Sequence, residues 1–170
     1  GTGLGGGFLE VKSKDKLKVL TDGHVFDMQI LNYDQQAVMA ETIFSGTGFY
    51  NTYQVTTKML NNDKKLRDNY QHALVAMGQY LAQICLLIYQ GQFEKYSNMS
   101  WTQADYQAIA GTTVFMIGGS VGTKGPVAKQ IIQEAKHILE RRYPKKFLLY
   151  QIPNSEKAAL IGAEIWCALK

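Results

Sequence analysis

Thr112-Thr113-Val114-Phe115-Met116-Ile117-Gly118-Gly119-Ser120-Val121-Gly122 is the stretch on which the fold turns. Thr112 to Ile117 form a compact apolar run, too short for a helix and bounded by Gly111 and by Gly118-Gly119. They read as a buried strand ended by a glycine turn. Pro126 suits the first turn of a following helix, which carries Val127, Ile131, Ile132, Ala135, Ile138 and Leu139 as far as Arg142. Beyond Pro144, Phe147-Leu148-Leu149-Tyr150 is a second short strand. Strand, helix and strand on a right-handed crossover define an α/β layer structure.

On the N-terminal side, Phe8 to Val11 and Leu17 to Leu20 read as the strands of a β-hairpin turned through Lys12 to Lys16. Residues 34–41 and 49–60 suit helices, with Ser45-Gly46-Thr47-Gly48 as a break between them. A longer helix is predicted from Asp63 to Gln90, with Leu74, Met77, Leu81, Ile84, Leu87 and Ile88 on one face as the core spine. Gly91 to Tyr106 reads equally as a surface insertion or an irregular helix. Ser155 caps a predicted final helix carrying Ala158 to Leu169. The expected fold is α/β, a mixed sheet flanked by helices in one lobe.

The composition excludes several classes. With 170 residues, 46% of them apolar and 19% charged, the chain is globular and not disordered. Lys+Arg 18 against Asp+Glu 14 leaves +4, with basic clusters scattered and separated by acids, so nucleic acid is not indicated. Cys85 and Cys167 lie far apart in apolar helical stretches, which fits neither a disulfide framework nor a zinc ligand set and suits a reduced, cytoplasmic protein. The apolar stretch from Ala73 to Tyr89 is interrupted by Gly78, Gln79 and Gln83, and is read as core, not as a membrane span. The chain opens on Gly1 with no initiator Met and no leader pattern, and reads as a piece cut from something longer.

Two glycine-rich segments carry candidate chemistry. Gly1-Thr2-Gly3-Leu4-Gly5-Gly6-Gly7 lets backbone N–H groups converge on an anion, with the Thr2 hydroxyl beside them. It matches neither the Walker nor the dinucleotide spacing, and a plain hairpin turn or flexible remnant explains it equally well. Gly118-Gly119-Ser120-Val121-Gly122 stands at the carboxyl end of a strand, where open α/β sheets leave room for a ligand. An ordinary strand-to-helix turn is the simpler account of that segment alone.

Taken in order with three other segments, these loops resemble the C-terminal lobe of bacterial glucokinases and, more loosely, of sugar kinases of the actin/hexokinase superfamily. Gly1-Thr2-Gly3-Leu4-Gly5 resembles that family's second phosphate loop. Gly23-His24-Val25 resembles its Glu-Gly-Gly-His-Val segment, and Glu41 to Tyr53, ETIFSGTGFYNTY, its Glu-x-x-Leu-Ser-Gly-x-Gly-Leu-x-Asn-x-Tyr segment. Val114 to Gly119 looks like the adenosine-loop strand and turn, and Asn154 to Trp166 like the terminal segment ending in Gly-Ala. The order and spacing agree as well.

The resemblance implies a ribonuclease H-like lobe over residues 1–170, the larger, C-terminal lobe of a two-lobe kinase whose N-terminal lobe is missing. It implies that Gly1, Thr2, Gly3 and Gly5 hold the phosphates of ATP with Mg²⁺, and that Gly118 and Gly119 let adenosine lie against backbone. His24 and Glu41 are implied to bind the hydroxyls of a hexose, most simply glucose. A carboxylate accepts hydrogen bonds from vicinal hydroxyls, and a neutral imidazole accepts one and donates one. Without the resemblance, His24 reads as a surface-turn histidine and Glu41 as a solvated helix residue.

The family's second sugar-binding Glu falls on Thr21, with Asp22 a displaced carboxylate that substitutes only if the loop is reshaped. The zinc-binding His-Cys-Cys-Cys cluster of many related kinases is absent, and no metal site on the chain is expected. The catalytic base, an Asp in the family, belongs to the missing lobe, so the 170-residue chain alone is expected to have no turnover. In the family a strand precedes the Gly-Thr-Gly turn inside the sheet, so a chain beginning at Gly1 is expected to be unstable or to aggregate. A homodimer is left open. Two other classes compete: a non-catalytic sugar sensor on the same fold, favoured by Thr21, and an interaction module using the Ala73 to Tyr89 helix as an oligomer interface.

Overall fold

The computed structural model describes residues 7–13, 16–22, 28–92, 103–118 and 125–152. The predicted strand–helix–strand unit is present. Strand β5 (Val114–Ile117) leads through the glycine segment to a long helix, α7 (Gly125–Arg142), and back to β6 (Leu148–Gln151), which pairs with β5 in parallel. Register sets Phe115 against Leu149 and Ile117 against Gln151. Ile117 and Leu149 are buried, whereas Val114, Met116, Leu148 and Tyr150 are half exposed on the opposite face. The N-terminal hairpin is also as expected: β1 (Gly7–Ser13) and β2 (Lys16–Asp22) pair antiparallel.

Residues 34–41 do not form the predicted helix. They complete a second hairpin, β3 (Gln29–Leu31) and β4 (Ala37–Met39), followed by a single helical turn, α1 (Ala40–Ile43). The cause is turn chemistry: the Asn32 side chain accepts from Gln36 N at 2.9 Å, Gln35 N donates to Asn32 O at 3.1 Å, and Gln35 takes φ +59°. An asparagine that satisfies its own turn outweighs a weak helical pattern.

The predicted break at 45–48 is instead a helix start. Ser45 Oγ accepts from Gly48 N at 2.9 Å and so caps α2 (Gly46–Tyr53). Gln54 in the left-handed region ends it. Thr56 and Asp63 then cap α3 (Thr57–Asn62) and α4 (Lys64–Asn69), accepting from Met59 N and Leu66 N. Thr56 divides the helix expected over 49–60, Asp63 caps where the longer helix was expected to begin, and a break at Tyr70 leaves α5 (Gln71–Tyr89) alone as the core spine. Helix α6 (Gln103–Ile109) occupies part of the ambiguous region; the predicted helix after Ser155 lies outside the described residues.

Helices α5 and α7 pack against each other and hold most of the core: Leu74, Met77, Leu81 and Cys85 face Val127, Ile131, Ala135 and Leu139, all nearly inaccessible. Each such Leu or Ile contributes about 1.5–3 kcal/mol relative to exposure. Helix α5 is long and apolar enough to cross a membrane, but most of it is buried inside the protein, an arrangement compatible with a soluble chain. Gln83 has a local duty. Its carboxamide accepts from Leu31 N and donates to Leu31 O, both at 3.0 Å, and so tethers the β3–β4 hairpin to α5. Gln83→Ala is expected to cost about 1–2 kcal/mol, because two hydrogen bonds to one residue are lost, read as an earlier urea midpoint at unchanged slope.

The fold is therefore α/β. Among the described residues, however, the strands form three two-stranded sheets, one parallel and two antiparallel, where a single mixed sheet was expected. Tyr89, Tyr143 and Phe147 form an edge-to-face cluster where α5, α7 and β6 converge, with ring centroids 5.2–5.9 Å apart. Gln90 Nε2 donates to Tyr143 Oη at 3.2 Å and Lys146 stands over the Tyr89 ring, fixing the turn that aims β6 back beside β5.

Candidate functional site

Three of the sequence-predicted site residues fall among the described ones. Asp22 closes β2 opposite Gly7. Glu41 lies in the first turn of α1, half-buried. Gly118 follows β5 and is exposed. Gly1, Thr2, Gly3, Gly5, His24 and Gly119 lie outside the described residues.

Glu41 rests on a rigid platform. Its neighbour Ala40 is fully buried and donates its N–H to Met28 O at 2.6 Å, which ties α1 to the strand entering the β3–β4 hairpin. Thr42 Oγ1 donates back to Met39 O at 2.7 Å. From the other side α2 approaches at Gly48, where a Cβ would lie 2.7 Å from the carbonyl carbon of Thr42 and 2.9 Å from Ile43 N. Only glycine permits that approach. The Ser-Gly-x-Gly part of the segment therefore supports the turn on which Glu41 stands, Ser45 by capping α2 and Gly48 by admitting α1.

The second half of the candidate site is the carboxyl end of β5. Ile152 N donates to Ile117 O at 2.9 Å, anchoring the strand end before Gly118. On the far side of the glycine segment, α7 begins at Gly125, with φ +66°. The residue before it is Lys124, whose side chain has no acceptor and cannot cap a helix. The acceptor comes from elsewhere: Asn61 Oδ1, at the end of α3, takes the Val127 N–H at 3.0 Å across 66 residues of sequence. Arg67 secures the same corner, its Nη1 donating to Leu60 O at 2.7 Å and reaching Asn61 O at 3.4 Å. Asn61 was not singled out from the sequence. The one signal in the sequence is that Lys124, just before Gly125-Pro126, carries no side-chain acceptor, which does not point to position 61.

Among the described residues, no three His, Cys, Asp or Glu side chains gather to hold a metal ion. A groove of about 380 Å³ between α7 and β6, lined in part by Lys136, His137, Glu140, Phe147 and Tyr150, contains none of the predicted site residues.

Burial raises the hydroxyl pKa of Tyr53 and of Tyr80. Burial also pushes the Cys85 thiol far up. Each stays protonated at neutral pH and supplies no activated nucleophile. Cys85 is accordingly expected to resist a thiol reagent such as 5,5′-dithiobis(2-nitrobenzoate) in the native chain at pH 8 and to react once urea unfolds it; rapid native labelling at Cys85, located by peptide mapping, contradicts this.

Comparison with protein-family models, with curated protein sequences and with solved structures returns no match.

Proposed function

We propose that the chain is the C-terminal lobe of an ATP-dependent hexose kinase that transfers a phosphoryl group from Mg²⁺-ATP to the 6-hydroxyl of glucose or a similar hexose in a longer, cytoplasmic protein. The observation that carries the reading is the ordered likeness of five segments to the bacterial glucokinase lobe, and within Glu41 to Tyr53 three motif positions have a local physical role. Glu41 is a carboxylate on a fixed turn, Ser45 a cap, and Gly48 a close approach. Gly118, exposed where β5 ends, is where an α/β crevice accepts a ligand. The lobe on this reading is ribonuclease H-like. In this role Thr2 and its glycines hold phosphates with Mg²⁺, Gly118 and Gly119 flank adenosine, and His24 and Glu41 hold the sugar, with Asp22 the nearest replacement for the carboxylate lacking at Thr21.

Phosphoryl transfer rests on positioning and charge stabilisation, and a base near the attacking hydroxyl completes it. No residue of this lobe is assigned as that base, so turnover belongs to the longer protein and the 170-residue chain binds without reacting. The expected results are Mg²⁺-dependent ATP binding by the longer protein in calorimetry, and glucose phosphorylation by the longer protein but not by the chain. In the longer protein, Glu41→Gln is expected to weaken glucose binding by about tenfold or more, since charge-assisted bonds to two hydroxyls become neutral ones. A longer protein that binds no nucleotide defeats the proposal. The second reading is a non-catalytic sugar sensor, favoured by threonine at position 21; glucose binding without phosphorylation by the longer protein selects it.

A further inference from the structure

We propose that the groove between α7 and β6 binds a small aromatic monoanion, an aryl carboxylate in the simplest case, with its ring against Phe147 and Tyr150 and its anionic group at Lys136 and His137. The groove holds none of the residues assigned to the kinase, so the inference stands apart from that reading. Its volume of about 380 Å³ lies near the lower end for small-molecule clefts and suits a bicyclic ligand. Leu139 and Leu149, both nearly inaccessible, give it an apolar floor. The Phe147 ring is held in place by Tyr89 at 5.2 Å, Tyr143 at 5.9 Å and Phe115 at 6.3 Å, and Tyr150 is half exposed beyond it. Fixed aromatic surface favours a planar, apolar partner.

Charge decides the rest of the ligand. From Lys136 to Lys146 the chain carries five Lys or Arg against one Glu, so the local field favours an anion. Several of these groups are already engaged. Arg142 lies over the Tyr143 ring at 6.0 Å and Lys146 over the Tyr89 ring at 5.4 Å, while both carboxylate oxygens of Glu140 accept from Lys145 N at 3.1 Å. Lys136 and His137 are different: both are exposed, both line the groove, and among the described residues neither makes a hydrogen bond or an ion pair. They are the donors left for a ligand, and an uncharged hydrocarbon leaves them unused. Glu140, also on the wall, repels a second negative charge, which selects a monoanion over a polyanion.

The test is calorimetric titration of the full-length protein with 1-naphthoate and with its uncharged analogue 1-naphthalenemethanol. The carboxylate is expected to bind roughly tenfold more tightly than the alcohol, a preference that shrinks in high salt. Lys136→Gln and His137→Gln, both at exposed positions, are expected to leave the melting temperature unchanged, to weaken naphthoate roughly fivefold to tenfold each, and to leave the alcohol unaffected. Tyr150→Ser is expected to weaken both probes, because it removes the aromatic wall and not the charge. Three results overturn the inference: a wild type that binds no naphthoate, a wild type that binds the alcohol as tightly as the carboxylate, or naphthoate binding that survives Lys136→Gln, His137→Gln and Tyr150→Ser alike. None of them touches the kinase reading, whose probes are Mg²⁺-ATP and glucose.

Discussion

Gly48→Ala is expected to destabilise the chain by about 3 kcal/mol, at the upper end of what one added methyl costs in a packed interior. The new Cβ meets main-chain atoms of Thr42 and Ile43, which cannot rotate aside as a side-chain tip can. Relief requires α1 and α2 to separate. That motion strains the Ala40–Met28 hydrogen bond and disturbs Phe49, whose side chain is fully buried next to Gly48. Alanine's better helix propensity returns only about 1 kcal/mol. For a chain of this size the loss is a fall in melting temperature of roughly 6–12 °C, readable by circular dichroism. Thr47→Ala, on the exposed side of the same turn, is the control and is expected to change stability by less than about 0.5 kcal/mol. If Gly48→Ala melts with the control, the tight α1–α2 contact is not what the segment is built around. On the kinase reading proposed above, Gly48→Ala also weakens sugar binding, because the turn it displaces carries Glu41.

The same segment shows what could be read before the fold was seen. Strand β5, helix α7 and strand β6 were legible because each is announced locally, by a bounded apolar run, by Pro126 followed by a helical stripe, and by a short run after Pro144. The β3–β4 hairpin was not, since the decision between helix and hairpin lies in the Asn32 side chain, one polar group whose turn outweighs the pattern around it. The cap at Thr56 cuts the helix expected over 49–60 for a similar reason: a single oxygen starts a new helix within a periodicity that continues through it. For the site, Glu41 and Gly118 were named from the sequence, but the reason for Gly48 was not, because it depends on how near α1 comes. Asn61 was beyond reach, as nothing at position 61 refers to an N–H 66 residues away.

Gly78→Val is expected to have the other large effect, and it concerns the central helix pair. In the sequence Gly78 is an interruption of an apolar stretch; in the fold it is where α7 crosses α5. A Cβ on residue 78 would lie 2.5 Å from Glu134 Cβ, 2.7 Å from its Cγ and 3.0 Å from Ile131 O. Rotating the Glu134 side chain cannot clear its own Cβ, so the helices must move apart along a contact that buries Met77, Leu81, Ile131 and Ala135. The Gln71–Gln130 pair across the same interface is stretched by that motion. Valine adds two further methyls and a branched Cβ poorly suited to a helix, so the cost is about 3 kcal/mol or more, whereas Gly78→Ala, partly offset by helix propensity, is expected to cost about 1–2 kcal/mol. The graded order wild type, alanine, valine in urea midpoint is the test. It also bears on the start of α7, where Val127 N donates to Asn61 Oδ1. A displaced α7 is expected to lower the amide protection of Val127 as well as that of the core, whereas Gln83→Ala, acting on the distant hairpin, leaves Val127 protected. If alanine and valine both match the wild type, the crossing of α5 and α7 is looser than these distances require.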